Sequence, residues 1–523
     1  MAGIAVAEMA EPSFGLLPYI LAAAGILLLV AVIVGMPRLR QHRCMGRRLF
    51  LTLTVGVMLA VGIIGDMLQQ RRVQVEWESG EHLWQGVVVE PPHSTTKTWR
   101  TAVVTDSGSG CRKVMLSVLK TAMPHRPKVG DAVEFRCEMR RPYNYLPSGA
   151  KADTLTFDYA KWLQRLGFSG QGFVPREVRM LGDSERRQMV EALPLLDRLR
   201  LSALSMRERL LRVYGALPLS TDEGAVLAAI TLGDKSQVTK EVRERFSLSG
   251  ASHVLALSGL HLSILVSFLL LLLYPLRLRR WSKWLLAVVC LSLVWAFVML
   301  TGCSVSIVRS ALMLSLMLLL GMRGEGFASL NNVVMTAFLI LCISPRSLMD
   351  VGFQLSFLAV FFIIYFMPYY QERLPWYYPR WKRRLLDFLY VTVIAQLATV
   401  PVVACVFGRL PLVFLLTNVL VIPCAYLLLL GALLFFVLSW WPVVSVAVGA
   451  MLSGVLIAMM RGLEWIAALP FASVNVHLVP MATLCIYPLI FTLFAWLRFR
   501  RRIYAWWTFL LLGCAVSWQM WEA

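Results

Sequence analysis

The chain has 523 residues, 58% of them hydrophobic, a mean hydropathy of +0.67 and a formal net charge of +21. This excludes an ordinary soluble globular protein, whose apolar share is about one half, and several apolar runs reach the ~20 residues that a membrane-crossing helix needs. The charge does not by itself demand nucleic acid, because much of it lies in short loops where the inside-positive bias of membrane proteins already places it.

The first apolar run, 14–36, is followed by the basic cluster RLRQHRCMGRR. A secretory signal carries its charge before the apolar stretch, so the order predicts an uncleaved helix with its N-terminus outside. A second run, 49–68, returns the chain to the outside, and together they make an N-terminal segment, 1–68, of two transmembrane helices.

Residues 69–194 change character. The runs HLWQGVVVE, WRTAVVTD, CRKVMLSVL and DAVEFRCEM read as short β-rich segments, and Pro, Gly, Ser and Asp separate them. Strands at this spacing predict a small all-β barrel outside the cytoplasm. Cys111 and Cys137 fall here and are a disulfide candidate if the compartment is oxidising. Most of the other cysteines lie in apolar runs and read as inert core. Trp77, Trp84, Trp99, Tyr143 and Tyr145 also fall here, and core is the preferred reading for most of them.

From 195 to 217, Leu196, Leu199, Ala203, Met206, Leu210 and Val213 recur at helical spacing, with arginines mainly off that stripe. This predicts an amphipathic helix, lying either on a membrane surface or on the β domain. A short helical unit, 221–246, completes a linking segment, 195–246. Residues 247–523 are almost continuously apolar. Spans are expected near 253–275, 284–301, 304–321, 331–345, 353–369, 387–407, 411–438, 443–460, 478–497 and 503–518. The basic loops RLRRWSK, PRWKRR and RFRRR then share one side, the cytoplasm.

Polar residues interrupt these runs, and ionisable groups in a membrane usually face a bundle interior or a water-filled path. ASHVLALSGLHLSIL carries His253, Ser258, Gly259 and His261. On one continuous helix the two histidines stand about 80° apart, and they serve either a pathway or helix packing. Arg309 lies in TGCSVSIVRSALM and needs a carboxylate, carbonyls or an anionic substrate. Asp350 and Gln354 follow in SLMDVGFQLSF, with Asp350 a candidate partner of Arg309. Gln396 and Asn418 lie in VIAQLATVP and LLTNVLVIP, where interhelical hydrogen bonding is the simpler reading. No HExxH, HxHxDH or P-loop motif occurs, so neither a metal nor another cofactor is expected. Ser258 beside His261 admits an intramembrane serine hydrolase, but no third group or oxyanion site accompanies them.

TLGDKSQVTKEVRERFSLSGASHVLALSGLHLSIL resembles the central signature of the ComEC family of bacterial competence channels. The matching positions are Leu232-Gly233-Asp234, Ser249-Gly250, Ser252-His253 and Ser258-Gly259-Leu260-His261. Thr301-Gly302 with Arg309, DVGFQLSFLAV, QLATVPVV and TNVLVIP follow in order, and LTFDYAKWLQRLGFSGQGFV resembles the end of the family's OB-like domain. The resemblance implies a polytopic α-helical membrane protein with an extracytoplasmic all-β, OB-like domain after the second span. It implies passage of single-stranded DNA across the inner membrane during natural transformation, without an enzymatic centre. Membrane lipid, a separate DNA receptor, a nuclease and a cytoplasmic helicase-type ATPase would be partners, and a homo-oligomer is left open. Many members carry a C-terminal metallo-β-lactamase-like domain; these residues hold no HxHxDH, so the form lacking it is expected. The alternatives are another substrate on the same scaffold, the hydrolase, and a non-transporting membrane assembly factor.

Overall fold

The computed structural model describes residues 64, 65, 67, 73, 75–106, 110–144, 158–176, 178–273, 280–321 and 330–522. The two expected N-terminal spans lie outside the described residues, apart from Ile64, Gly65 and Met67. The chain divides into two units. The first runs up to Arg209 and adds Phe297–Cys303 and Met335–Asp350; the second holds Leu210–Ala296, Ser304–Val334 and Val351–Ala523.

The four β-rich runs of the first unit all become strands: β1 His82–Val88, β2 His93–Ser94, β3 Thr98–Asp106, β4 Cys111–Leu119, β5 Ala132–Cys137 and β6 Met139–Arg140, joined later by β7 Gly170–Val174 and β8 Arg179–Met180. They form one sheet in the order β6-β7-β4-β3-β1-β5-β8, with β2 on β3. Only β4 and β7 pair in parallel, Val114 opposite Gly170 and Val118 opposite Val174. The sheet curls into a half-barrel that brings β7 against β5: a Cβ at Gly172 would stand 2.9 Å from the Cys137 sulfur and 3.0 Å from Leu116.

Both faces of this sheet are covered, which explains its unbroken GVVV and TAVV runs. Val88, Val103, Val114, Leu116 and Phe135 fill the concave face. Val87, Val89 and Ala102 point the other way, onto helices α1 Tyr159–Arg165, α2 Asp183–Ala192 and α3 Leu195–Val213, with Leu163, Leu201 and Leu204 in the contact. The disulfide candidate is corrected. Cys111 and Cys137 are both free, the first exposed and the second buried. Cys137 meets the Leu116 end of β4, and five residues of strand, roughly 16 Å, lead from there to Cys111, whereas a bridge needs Cα atoms within ~7 Å.

On α3 the expected stripe through Leu196, Leu199 and Met206 is exposed, and Leu201, Leu204 and Arg207 are buried instead. The packing side carries arginines because it meets carbonyls and a carboxylate. Arg200 donates to the Gly302 carbonyl at 3.0 Å and to Glu90 at 3.3 Å, and Arg207 donates to the Thr301 carbonyl at 3.5 Å.

The remaining chain is helical: α4 Thr221–Leu232, α5 Lys240–Leu248, α6 Ser252–Leu255, α7 Gly259–Leu272, α8 Arg280–Leu300, α9 Val305–Gly321, α10 Leu330–Ile343, α11 Val351–Arg373, α12 Arg380–Phe407, α13 Phe414–Leu438, α14 Pro442–Ala467, α15 Pro480–Phe499 and α16 Arg502–Glu522. Helices stand where nine of the ten spans are expected, and the first, 253–275, holds two helices, α6 and α7, instead of one. Among the described residues, five helices are long and apolar enough to cross a membrane: Val351–Arg373, Arg380–Phe407, Phe414–Leu438, Val443–Ala467 and Pro480–Phe499.

Within the second unit, α11 packs on α12, α13 on α14 and α15 on α16. An aromatic block of Phe361, Phe362, Tyr365 and Phe366 on α11 with Tyr487, Phe491 and Phe494 on α15 joins two of these pairs. Strands β9 Arg409–Pro411 and β10 Ser473–Asn475 form a short ribbon.

Candidate pathway site around a broken helix

The site grows from the segment after α4. The sequence STDE starts α4 with a capping box: the Ser220 hydroxyl accepts from the Glu223 N–H at 3.3 Å, and the Glu223 carboxylate accepts from the Ser220 N–H at 2.8 Å. Every residue from Ala225 to Leu232 is buried, and Gly233 ends the helix in the left-handed region at φ 74°. Asp234, itself buried, accepts from the Ser236 N–H at 3.0 Å and closes the turn. Lys235 follows on the surface. Surrounding protein and the Arg243 guanidinium hold its ammonium below the ordinary lysine range.

After α5, Ser249 and Ala251 are fully buried. The Ser249 carbonyl accepts from the Thr417 hydroxyl of α13 at 2.7 Å, a contact spanning 168 residues of chain. Arg245 pairs with Glu464 and so fixes α5 on α14. The same hydroxyl lies 3.1 Å from the Val413 carbonyl, which shares its single proton. Thr417→Val keeps the shape and leaves the buried Ser249 carbonyl unmet, so it should destabilise the protein by ~1–3 kcal/mol. A thermal melt of the purified chain in detergent reads this, and an unchanged midpoint would show that the contact contributes nothing.

The expected span 253–275 is not one helix, which corrects the placement of both histidines on one helix. α6 stops after a single turn; Ala256 and Ser258 are extended, Ser258 at φ −125° and ψ 176°, and α7 starts at Gly259. Serine is a strong N-cap, and Ser258 starts α7 shortly after α6 has ended at Leu255. The Ser258 N–H donates to His261 Nδ1 at 3.2 Å, and the Ser258 hydroxyl lies 3.2 Å from the same nitrogen. His261 is fully buried. His253 is exposed, and its Nδ1 lies 3.1 Å from the Gly250 carbonyl. Gly259 lets α7 approach α9, since a Cβ there would stand 3.1 Å from the Ser310 hydroxyl.

This geometry argues against a serine nucleophile. His261 Nδ1 is committed to the cap, and Nε2, the nitrogen left to meet an orienting acid if Ser258 were the nucleophile, has no partner among the described residues. Also among the described residues, no three His, Cys, Asp or Glu side chains gather as a metal site.

The fold brings His253, Ser258, Gly259 and His261 together locally and sets α13, with half-buried Asn418, against α6 and α7. The Asn418 Oδ1 is buried with no hydrogen-bond partner among the described residues. Arg309 is buried on α9, one residue before the Ser310 that meets Gly259. Gln354 and Gln396 are half-buried on α11 and α12. Asp350 ends the turn Pro345–Met349 and belongs to the first unit, whereas Arg309 belongs to the second.

In the β domain, the Trp77, Trp84 and Trp99 indoles each donate to a backbone carbonyl at 3.0–3.2 Å, which suits a packing role. Tyr145 lies outside the described residues. The exposed rings are Tyr143, Trp162 and Phe173. Trp162 and Phe173 escaped the sequence reading, though alternation along GQGFV would have set Phe173 opposite Val174.

A broken apolar helix with a buried histidine at the break, among helices long enough to span a bilayer, defines a polytopic protein with polar groups held inside. The competence protein family model matches residues 230–501, and the chain belongs to that family, the ComEC family. The chain is 30% identical to ComE operon protein 3 of Bacillus subtilis (strain 168) over 220 residues, 42% of this chain and 27% of that protein. It is 23% identical to the uncharacterized protein YcaI of Escherichia coli (strain K12) over 205 residues, 38% of this chain and 27% of that protein. The matches thus span about a quarter of each relative's length. No solved structure matches the chain.

Proposed function

We propose that the chain is a multi-pass channel of the inner membrane that passes single-stranded DNA into the cytoplasm during natural transformation. The observation that carries this reading is the interruption at Ala256–Ser258, in a chain whose family match begins at residue 230. Discontinuous helices expose backbone ends and polar side chains inside a membrane, and transport pathways use them for that purpose. His253, Ser258, Gly259, His261 and Arg309 are the lining candidates, with Gln354, Gln396 and Asn418 as further candidates on the same unit.

The half-barrel is read as an extracytoplasmic OB-like domain that holds the strand before entry. Tyr143, Trp162 and Phe173 are its stacking candidates. Residues 69–200 carry 21 Lys and Arg against 15 Asp and Glu, a modest excess that suits transient rather than tight holding. A DNA receptor, a nuclease and an ATPase would act as separate partners.

The test is entry of labelled DNA into the cytoplasm of a competent host, comparing a deletion strain with strains restored by wild type or by His261→Ala. Wild type should restore internalised DNA and the variant should not, at equal protein in the membrane. Unchanged uptake on deletion would sink the reading.

A further inference from the structure

The two histidines at the helix break are fixed in opposite tautomers by their own backbone. The Ser258 N–H can only donate, so His261 Nδ1 must accept, and the proton of the neutral ring sits on Nε2. The Gly250 carbonyl can only accept, so His253 Nδ1 must donate. The His261 Nε2–H is therefore a donor, buried at 0% exposure, with no partner among the described residues. An unmet buried donor is unfavourable unless a ligand meets it. Helix α4 packs on α6, and the basic side chains of Lys235 and His253 stand near enough to act on the His261 ring. Three segments thus bring basic groups together: the turn after α4, helix α6 and the first turn of α7. The positive end of the α7 dipole adds to the same field.

We infer that Lys235, His253 and His261 form a subsite for a phosphodiester, in which the His261 Nε2–H donates to a phosphate oxygen and Lys235 supplies the charge. This deepens the channel reading and rests on it for the identity of the ligand. A nucleic-acid strand and a phospholipid headgroup both present this group.

Two substitutions separate the donor from the cap. His261→Asn retains an acceptor near the position of Nδ1 and removes the Nε2 donor. His261→Gln places an amide near Nε2 and loses the cap. The full chain, purified in detergent, is titrated with a fluorescent single-stranded oligonucleotide and, separately, with short-chain phosphatidylglycerol; thermal melts report the fold of each variant.

His261→Asn should melt like wild type and bind the oligonucleotide about tenfold more weakly, the size of one hydrogen bond to a charged group. His261→Gln should melt lower and retain more binding. Lys235→Gln should reduce the salt dependence by about 0.7 in log–log slope, the value for one contact to a single strand. If wild type binds the oligonucleotide and His261→Asn and Lys235→Gln bind equally well, the subsite is overturned and the channel reading stands. Binding of phosphatidylglycerol alone, with the same variant pattern, upholds the subsite with lipid as its source and removes DNA as its ligand. Binding of neither probe by wild type overturns the subsite and the DNA reading together.

Discussion

Gly250→Ala is expected to remove most folded protein from the membrane. Gly250 sits at φ +80°, in the left-handed region that side-chain-bearing residues rarely adopt. A Cβ added there would stand 2.9 Å from Pro411 Cβ and 3.0 Å from its Cγ. Pro411 is the end of β9 and pairs with Ser473 of β10, so it has little freedom to retreat. Relief by moving Gly250 would pull on the Ser249 carbonyl and its 2.7 Å bond from Thr417. Backbone strain and the clash together should destabilise the protein by ~2–4 kcal/mol. Gly454→Ala is the control: Gly454 lies inside α14, and an added Cβ there meets nothing within 4 Å. A helical alanine in that position should stabilise by ~0.5–1 kcal/mol. Membrane abundance and the thermal midpoint in detergent read both, and equal midpoints for the two variants would refute the account of Gly250.

Glu90→Gln should destabilise the β domain at neutral pH and much less in acid. The Glu90 carboxylate meets Lys113 at 2.7 Å and Arg200 at 3.3 Å. Lys113 also rests over the Phe168 ring, 4.3 Å from its centroid. Burial alone would raise the Glu90 carboxyl, but Lys113 and Arg200 outweigh it and hold the group below the usual carboxylate range. Breaking a partly buried ion cluster from the acid side leaves two cations facing each other, and ~1–3 kcal/mol is expected.

The sign follows from the lowered value. A carboxyl depressed on folding adds stability that is fully present above its unfolded value, near 4.5. That stability is lost as pH falls through the lower folded value. The gap between wild-type and Glu90→Gln midpoints should therefore be constant from pH 7 to about 5.5, narrow as pH falls past the unfolded value near 4.5, and close below the lower folded value. A gap independent of pH would mean that the pair adds shape rather than charge. Arg200 also holds the Gly302 carbonyl, so exchange at the 301–303 amides should rise in the same variant.

Much of this architecture was legible before any coordinates. β4 begins and ends with the run CRKVMLSVL, a short β-rich segment set off by the Ser107–Gly110 turn before it. β7 was not legible: GQGFV is glycine-rich, and it becomes a strand because Gly170 and Gly172 let it lie against Trp77 and Cys137. The stripe on α3 was real, yet its packing face is the other one. Arg200 and Arg207 turn inward to meet carbonyls and a carboxylate that are distant in sequence. The disulfide candidate failed for a related reason: sequence places two thiols in one domain, and only strand register sets their separation.

The candidate site divides the same way. Residue chemistry alone determined that the chain is built largely of apolar helices, that a β-rich domain precedes them, and that His253, Ser258, Gly259 and His261 are costly in an apolar run. Hydropathy and capping are local, so they survive without a fold. Only the tertiary structure decided that the run breaks before Ser258 and that His261 turns Nδ1 to its own cap and buries Nε2. Those outcomes depend on which carbonyl or N–H lies within about 3 Å, a distance set by the packing of α13 and α9 against the break.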